Sequence, residues 1–278
     1  MTAVLYSTPT PTPEQPLVAL SNVYLAFVTK DHHAKLALDD INLAIAPGEF
    51  CSVIGPSGCG KSTILNLVAG LIRPSDGSVA FDGRPVDRLN TDVGYVTQDD
   101  NLLPWRSLRA NVELALELRN VPRRERLQRS QELIRRVGLE GFENHLPTQL
   151  SGGMRKRASI IRTLIYDTRA VLMDEPFGAL DAQTRLILQR DLLDLWERTR
   201  PTIIFVTHDI TEAIALSDRV VVMSKSPGRI KRIHTVDIPR PRDVFRIHEA
   251  PRFASLYQKL WAEIREEMGD AEADDGAR

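Results

Sequence analysis

The chain has 278 residues, of which 42% are hydrophobic and 26% are charged, and this composition excludes a globally disordered protein. The formal net charge is −1, from 36 Lys and Arg against 37 Asp and Glu, which disfavours a protein whose main task is to bind nucleic acid. The two cysteines, Cys51 and Cys59, exclude a disulfide framework, and the longest apolar runs are far shorter than the roughly 20 residues that cross a bilayer. We therefore predict a soluble protein that reaches a membrane only through a partner.

The order of the predicted elements indicates the fold class. Residues 1–16 are predicted to be a flexible leader, because residues 7–16 are rich in proline and threonine. Apolar runs predict strands, at residues 17–27, 36–45, 50–54, 77–81, 93–96, 170–173, 202–207 and 219–223. Helical spacing of apolar residues predicts helices, at residues 62–72, 107–138 with a break at residues 121–122, 151–166 and 256–264. Strands that alternate with helices predict an α/β fold with a mostly parallel sheet covered on both faces.

An arginine-rich segment, residues 123–136, has two interpretations. It is either a patch for nucleic acid or lipid, or the solvated face of an amphipathic helix. We favour the solvated face, because Glu125, Gln128 and Glu132 interrupt the positive charge.

Residues 55–62 read Gly-Pro-Ser-Gly-Cys-Gly-Lys-Ser and match the phosphate-loop pattern G-x-x-x-x-G-K-[ST] in full. The glycines let backbone N–H groups surround phosphate oxygens, Lys61 adds a positive charge, and the Ser62 hydroxyl can ligate Mg²⁺. An apolar strand precedes the loop, and the helix that follows directs the positive end of its dipole at the anion. The pattern predicts binding of a nucleoside triphosphate by the loop residues, Gly55, Pro56, Ser57, Gly58, Cys59, Gly60, Lys61, Ser62 and Thr63.

A pair of carboxylates follows the apolar run at residues 170–173. Asp174 emerges at the carboxyl end of the predicted strand, where ligands of open α/β sheets bind, and it is predicted to hold Mg²⁺. Glu175 is placed to accept a proton from the attacking water.

A second glycine-rich turn, residues 150–154 (Leu-Ser-Gly-Gly-Met), opens another predicted helix, and we call it the signature turn. The Ser151 hydroxyl and the amides of Gly152 and Gly153 form a second anion-binding helix N-terminus. With this turn, the sequence resembles the ATP-binding subunits of ABC transporters over roughly residues 17–226. The resemblance implies a P-loop NTPase core, an N-terminal antiparallel β subdomain and a helical subdomain at about residues 99–165. It also implies ATP as the nucleotide and two chains joined head to tail, each signature turn completing the partner's site.

The resemblance assigns roles to further residues. Gln98 matches the glutamine that senses Mg²⁺ and the attacking water, and it is expected to be a metal ligand. His208 matches the histidine that contacts the γ-phosphate, with a buried structural histidine as the alternative. Asp181 lies in the loop that passes between the two protomers, and it is expected to contact the nucleotide. Phe27 is expected to stack on adenine, with Tyr24 as the alternative.

Three segments narrow the subgroup. Residues 101–106, 226–230 and 239–243 resemble importers of nitrate, alkanesulfonates, taurine and related small anions. The first segment, which includes Trp105, is expected to receive a short helix of a membrane subunit, or else to be core of the helical subdomain. Residues 227–278 are expected to be a C-terminal extension with an amphipathic helix that packs on the domain and a frayed acidic tail.

The resemblance also implies the partners. They are integral-membrane permease subunits, a second copy of the chain or a related ATPase subunit and, indirectly, an extracytoplasmic substrate-binding protein, at the cytoplasmic face of the inner membrane and without nucleic acid. The alternatives are a soluble ABC ATPase of DNA repair or translation, an exporter subunit, and a non-catalytic module, which Glu175 and His208 disfavour. The sequence departs from the commonest family form at Met154 and Lys156, where glutamine is usual or frequent. The backbone anion cradle survives this change, so we expect little loss of function.

Overall fold

The computed structural model describes residues 15–28, 34–178 and 180–275, with side chains up to Gly269. The predicted flexible leader therefore lies outside the described residues, except for Gln15 and Pro16. The helices and strands, in chain order, are β1 Val18–Val28, β2 Ala34–Ile45, β3 Phe50–Ile54, α1 Lys61–Val68, β4 Asp76–Phe81, β5 Arg84–Pro85, β6 Val93–Val96, α2 Leu108–Leu118, α3 Arg123–Arg136, α4 Gly152–Leu164, β7 Ala170–Asp174, α5 Ala182–Thr199, β8 Thr202–Val206, α6 Ile210–Leu216, β9 Arg219–Met223, β10 Ile230–Thr235 and α7 Phe253–Asp275. Within these ranges, no helix combines the length and the hydropathy that a membrane span requires.

The strands form two sheets. The larger has the order β10-β9-β3-β8-β7-β6, in which all strands except β10 run parallel to their neighbours. The smaller is antiparallel, with the order β2-β1-β4-β5. The predicted α/β fold with a mostly parallel sheet and an N-terminal antiparallel subdomain is confirmed.

The central strands are apolar except for Ser52 in β3 and Thr202 in β8, because both faces of the larger sheet are covered. Every residue of β3 and β8 is buried. Alternate residues face opposite sides: Phe50 packs in one core cluster with α5, α6 and α7, and Cys51 in another with α1 and the smaller sheet. The sheet therefore holds α1 on one face and the C-terminal helices on the other.

Helices α2, α3 and α4 share a third core cluster, which includes Val112, Ile134 and Ile161. These helices form the helical subdomain expected at about residues 99–165. The arginine-rich α3 carries its charge outward, with ion pairs from Arg129 to Glu125 and from Arg136 to Glu132. It is an amphipathic helix with a solvated face, as favoured from the sequence.

Three differences between the expected and the observed elements concern the end of α1, the strand β10 and the length of α7. The helix predicted at residues 62–72 ends at Val68, because Gly70 adopts a left-handed conformation with φ +68° and turns the chain. The edge strand β10 was not predicted, because four of its six residues are polar and it lacks the continuous apolar run of its neighbours. The amphipathic helix expected at residues 256–264 is longer, and its described backbone includes most of the acidic segment.

The chain after residue 226 packs on the hydrophobic core that covers one face of the larger sheet. It supplies β10 to the larger sheet and buries Val236, Val244 and Leu260 in the cluster that contains α5 and α6.

The buried guanidinium of Arg242 holds the chain after residue 226 against the core. Arg242, only 9% exposed, donates hydrogen bonds to the carbonyl oxygens of Ile214, Ser217, Val236 and Ile238. Burial lowers the pKa of Arg242 to about 10.

We expect Arg242→Met to destabilise the protein by about 3 kcal/mol, because it leaves four buried carbonyl groups without donors. Urea unfolding of the purified chain measures this loss. Arg232→Met is the matched control: the Arg232 side chain is 67% exposed, and its partner Glu263 keeps its hydrogen-bond contact with His234 at 3.0 Å, so we expect a loss of about 0.5 kcal/mol or less. Equal unfolding midpoints for the two variants would contradict the structural role of Arg242.

Candidate active site

The register of three parallel strands brings the predicted site residues to one edge of the larger sheet. β3 and β8 align Val53 with Val206, and β7 and β8 align Asp174 with Val206. The residues that follow these positions leave the sheet side by side at its carboxyl edge, where ligands of open α/β sheets bind.

The phosphate loop follows β3 and ends where α1 begins. Gly60 caps α1 in a left-handed conformation with φ +99°, and a Cβ atom there would lie 2.5 Å from Cδ2 of Leu38. Only glycine therefore fits at this position. Ser57 and Gly58, at the outer turn of the loop, are exposed.

Lys61 organises the inside of the loop. It is only 7% exposed, and its Nζ donates to the carbonyl oxygens of Gly55 at 2.8 Å and Pro56 at 2.9 Å. Because no carboxylate is hydrogen-bonded to Nζ in the described part of the chain, the positive charge stays available to an anion.

The residues expected to hold Mg²⁺ include a bonded pair. The Ser62 hydroxyl donates to Oδ1 of Asp174 at 2.9 Å. Burial raises the pKa of Asp174, the Ser62 hydrogen bond opposes that rise, and the charge of Glu175 adds to it. A partly desolvated carboxylate beside a hydroxyl gives the oxygen ligands that Mg²⁺ prefers, and a cation would relieve the cost of burying that charge. The residues present therefore fit the ion.

Glu175 and His208 face each other. The N–H of Glu175 donates to the carbonyl of Val206 at 2.9 Å, which fixes the start of the turn after β7. Nδ1 of His208 lies 3.2 Å from Oε2 of Glu175, and the His208 side chain is 62% exposed. The alternative of a buried structural histidine is therefore wrong. The pair forms an acid–imidazole contact open to solvent.

A cavity of about 430 Å³ lies over the phosphate loop. Its lining includes these predicted residues: Phe27, Ser57, Gly58, Gly60, Lys61, Ser62, Thr63 and Glu175. Phe27 is 47% exposed at its wall, whereas Tyr24 does not line it. Four further lining residues, Lys35, Leu36, Ala37 and Ser226, were not among the predicted site residues. The first three give no signal in the sequence, because only the pairing of β1 with β2 brings them beside Phe27.

The signature turn does not line that cavity. The Ser151 hydroxyl accepts the N–H of Met154 at 3.3 Å, so that Ser151 caps α4, and Ser151 and Gly152 are exposed. Gly153 lies against α5, since a Cβ atom there would be 2.7 Å from Cγ2 of Thr184. The exposed helix N-terminus of the turn thus presents its amides outward, beside the start of α5.

Asp181 and Gln98 also lie outside the cavity lining. Asp181 caps α5 by accepting the N–H of Thr184 at 2.9 Å, and the hydrogen bonds from Thr184 lower its pKa. Its expected contact with nucleotide stays a prediction, and its neighbour Ala179 lies outside the described residues. Gln98 is exposed after β6, and its carbonyl accepts a hydrogen bond from Lys156.

The thiol of Cys59 is fully buried in the phosphate loop, with Sγ 4.0 Å from Nζ of Lys61, and burial raises its pKa. We expect a bulky maleimide to modify Cys59 more slowly than an exposed cysteine, and complete modification to abolish ATP binding because the adduct occupies the loop. Mass spectrometry and nucleotide binding measure both effects in a Cys51→Ala background, which removes the other buried thiol. ATP binding that survives full modification would contradict this placement.

These features define the class of phosphate-loop NTPases: a phosphate loop, a Ser–Asp pair and a glutamate–histidine pair at one edge of a parallel sheet. A family model described as ABC transporter matches residues 38–178. The chain belongs to the ABC transporter family, and it is an ATPase that binds ATP.

Its relatives include named import proteins. MJ0412 of Methanocaldococcus jannaschii, an uncharacterized ABC transporter ATP-binding protein, is 53% identical over 207 residues, which are 74% of this chain and 78% of that protein. The taurine import ATP-binding protein TauB of Yersinia pestis is 46% identical over 200 residues, 72% of this chain and 78% of that protein. The bicarbonate transport ATP-binding protein CmpC of Synechococcus elongatus is 44% identical over 246 residues, 87% of this chain but 37% of that protein. The predicted resemblance to the importer group of nitrate, alkanesulfonates and taurine is confirmed.

Two solved structures share the fold. One is a dimeric, post-hydrolysis state of the ATP-binding cassette MJ0796 bound to ADP and Pi, with 35% identity and a TM-score of 0.69, covering 79% of this chain and 98% of that one. The other is cbiO1 of Clostridium perfringens, part of the ABC transporter complex cbiONQ, with 27% identity and a TM-score of 0.71, covering 80% and 90%.

Proposed function

We propose that this chain is the ATP-hydrolysing subunit of an importer of small anions such as nitrate, alkanesulfonates or taurine. The observation that carries the proposal is the Glu175–His208 pair beside the phosphate loop, because it supplies a base and an orienting group where a γ-phosphate would lie. TauB and CmpC, named for import of taurine and transport of bicarbonate, support the substrate class.

The residues act by position and charge. Lys61 and the loop amides bind the phosphates, Glu175 takes the proton of the attacking water, and His208 holds Glu175 and the γ-phosphate in place. Ser62, Asp174 and Gln98 would hold Mg²⁺, which supplies Lewis-acid neutralisation of the phosphate charge when bound. Phe27 stacks on adenine at the cavity wall.

The working unit is a head-to-tail dimer, either of two copies or of this chain with a related subunit. The signature turn does not line the cavity of its own chain, and the helix N-terminus that it forms is exposed, so a second chain is needed to bring such a turn to the γ-phosphate. The similar cassette MJ0796, which is dimeric with ADP and Pi, supports this arrangement. An extracytoplasmic binding protein delivers the anion to the permease and does not touch this chain.

The permease would dock at Trp105. This side chain is 74% exposed, so it is not core of the helical subdomain. The fully buried Asn111 holds the turn beneath it: its Oδ1 accepts the N–H of Leu103 at 2.7 Å, and its Nδ2 donates to the carbonyl of Arg106 at 2.9 Å. A rigid turn that displays an aromatic ring suits a short helix of a membrane subunit at the cytoplasmic face of the membrane.

A soluble ABC ATPase of DNA repair or translation and an exporter subunit are the competing functions. Nothing in the fold favours either, and the named import relatives favour the importer.

Hydrolysis is tested with Glu175→Gln. We expect wild type to hydrolyse ATP, and Glu175→Gln to lose about 100-fold or more in kcat because the general base is gone, while it accumulates an ATP-dependent dimer. Phosphate release and size-exclusion chromatography with ATP measure these outcomes. The same kcat in wild type and variant would show that Glu175 is not the base.

Docking is tested with Trp105→Ala. We expect the isolated subunit to keep its ATPase rate, since the turn does not line the nucleotide cavity, while ATP-driven uptake by the reconstituted permease complex falls about tenfold or more. Leu118→Ala, which truncates a side chain also 74% exposed on the same subdomain, is the control. Equal uptake by both variants would place the permease elsewhere.

A further inference from the structure

A lysine of α4, the helix that begins at the signature turn, is hydrogen-bonded to the main chain at Gln98. Nζ of Lys156 donates to the carbonyl oxygens of Thr97 and Gln98, both at 2.8 Å. The side chain is only 5% exposed, so water does not replace these bonds when they break. Burial lowers the pKa of Lys156 to about 8, and the charges of Asp100 and Asp99 oppose that fall.

Two arginine side chains of α4 bind residues that follow Gln98 in the chain. Arg155 pairs with the carboxylate of Asp100 at 2.9 Å, and Arg162 donates to the carbonyl oxygens of Asn101 at 2.7 Å and Asp100 at 3.1 Å. All of residues 97–101 except Asp99 are thus tied to one helix, and we call residues 97–101 the Gln98 segment. Because α4 begins at the signature turn, this one helix holds both the signature turn and the Gln98 segment.

A cavity of about 500 Å³ lies on another side of the helical subdomain, lined by Leu133 of α3, by Leu192 and Trp196 of α5 and by the start of β8. Beside it, Leu195 of α5 packs in the core cluster of the subdomain. The side chains of Lys156, Arg155 and Arg162 give the direct polar link between α4 and the Gln98 segment.

We propose that Lys156 is a positioning residue for ATP hydrolysis, which fixes the Gln98 segment to α4 so that Gln98 and the signature turn move as one body. The proposal rests on the proposed function and deepens it. Lys156 does not line the cavity over the phosphate loop, and it acts only through the main chain of the Gln98 segment. When the signature turn of one chain closes on the ATP held by the partner chain, Gln98 moves with it. Gln98 then reaches the ATP site of its own chain.

The test replaces Lys156 by methionine, which keeps the unbranched stem and removes both donors. We expect kcat for ATP to fall about tenfold or more while KM for ATP stays near the wild-type value, because the phosphate loop that binds ATP is untouched. Arg157→Met is the matched control: this adjacent cation donates to the carbonyl of Val137 at 3.3 Å, inside the helical subdomain, and its loss leaves kcat near wild type.

A double-mutant cycle identifies the route of the effect. In a Gln98→Ala background, Lys156→Met should cause no further loss of kcat, because the group it positions is already absent. Wild-type kcat in Lys156→Met, or losses that multiply in the double variant, would overturn the proposal. If Lys156→Met does not fold, Lys156→Gln takes its place in the cycle. The glutamine side chain is one bond shorter and still a donor, so we expect an intermediate loss of kcat that also vanishes in the Gln98→Ala background. Losses of kcat that multiply in this double variant would again overturn the proposal.

Wild type and Glu175→Gln are assayed in the same series. Hydrolysis by wild type that is lost in Glu175→Gln keeps the proposed function intact whatever the Lys156 variants do. Absence of hydrolysis in wild type would instead reject the proposed function itself.

Discussion

The parallel pairing of β3, β8 and β7 is the constraint on which the rest of the structure depends. It aligns Val53 with Val206 and Asp174 with Val206, and so decides which residues leave the sheet at its carboxyl edge. Successive strand residues face opposite sides, so a slip of one residue would move Met173 from one buried face of the sheet to the other and draw Asp174 into a buried position. The apolar residues on both faces make such a slip costly, and the charge of the site is therefore held in place by the hydrophobic core beneath it.

The helical subdomain adds what the sheet does not supply. Its helix α4 carries the signature turn at one end and grips the Gln98 segment through Lys156 along its side. A few residues further, buried Asn111 holds the turn that exposes Trp105. Side-chain hydrogen bonds to the main chain thus hold both the Gln98 segment and the turn at Trp105, which follow one another closely in the chain.

Much of the fold and of the site was predictable from the sequence, because each local signal has a single structural solution. A phosphate loop requires strand, turn and helix, and Asp174 must leave its apolar strand at the ligand edge. Hydrogen bonds between a side chain and a backbone group far away in the sequence have no comparable sequence pattern. Arg242 caps four carbonyl groups, and Lys156 binds the Gln98 segment, yet both read as ordinary charged residues, since a lone cation does not show which carbonyls fold back on it. The edge strand β10 was missed for a related reason: an edge strand needs only one apolar face.

The central claim is that each ATP site is built from two chains, and complementation between two inactive variants tests it most directly. Lys61→Ala removes the phosphate-loop cation, and Ser151→Asp keeps the cap of α4 while placing a carboxylate against the γ-phosphate. Each variant alone has both sites of its dimer damaged, but a mixed dimer carries one site made of two intact halves. The account predicts that ATP hydrolysis reappears when the two inactive proteins are mixed. Two variants that stay inactive together, although they form mixed dimers, would contradict it.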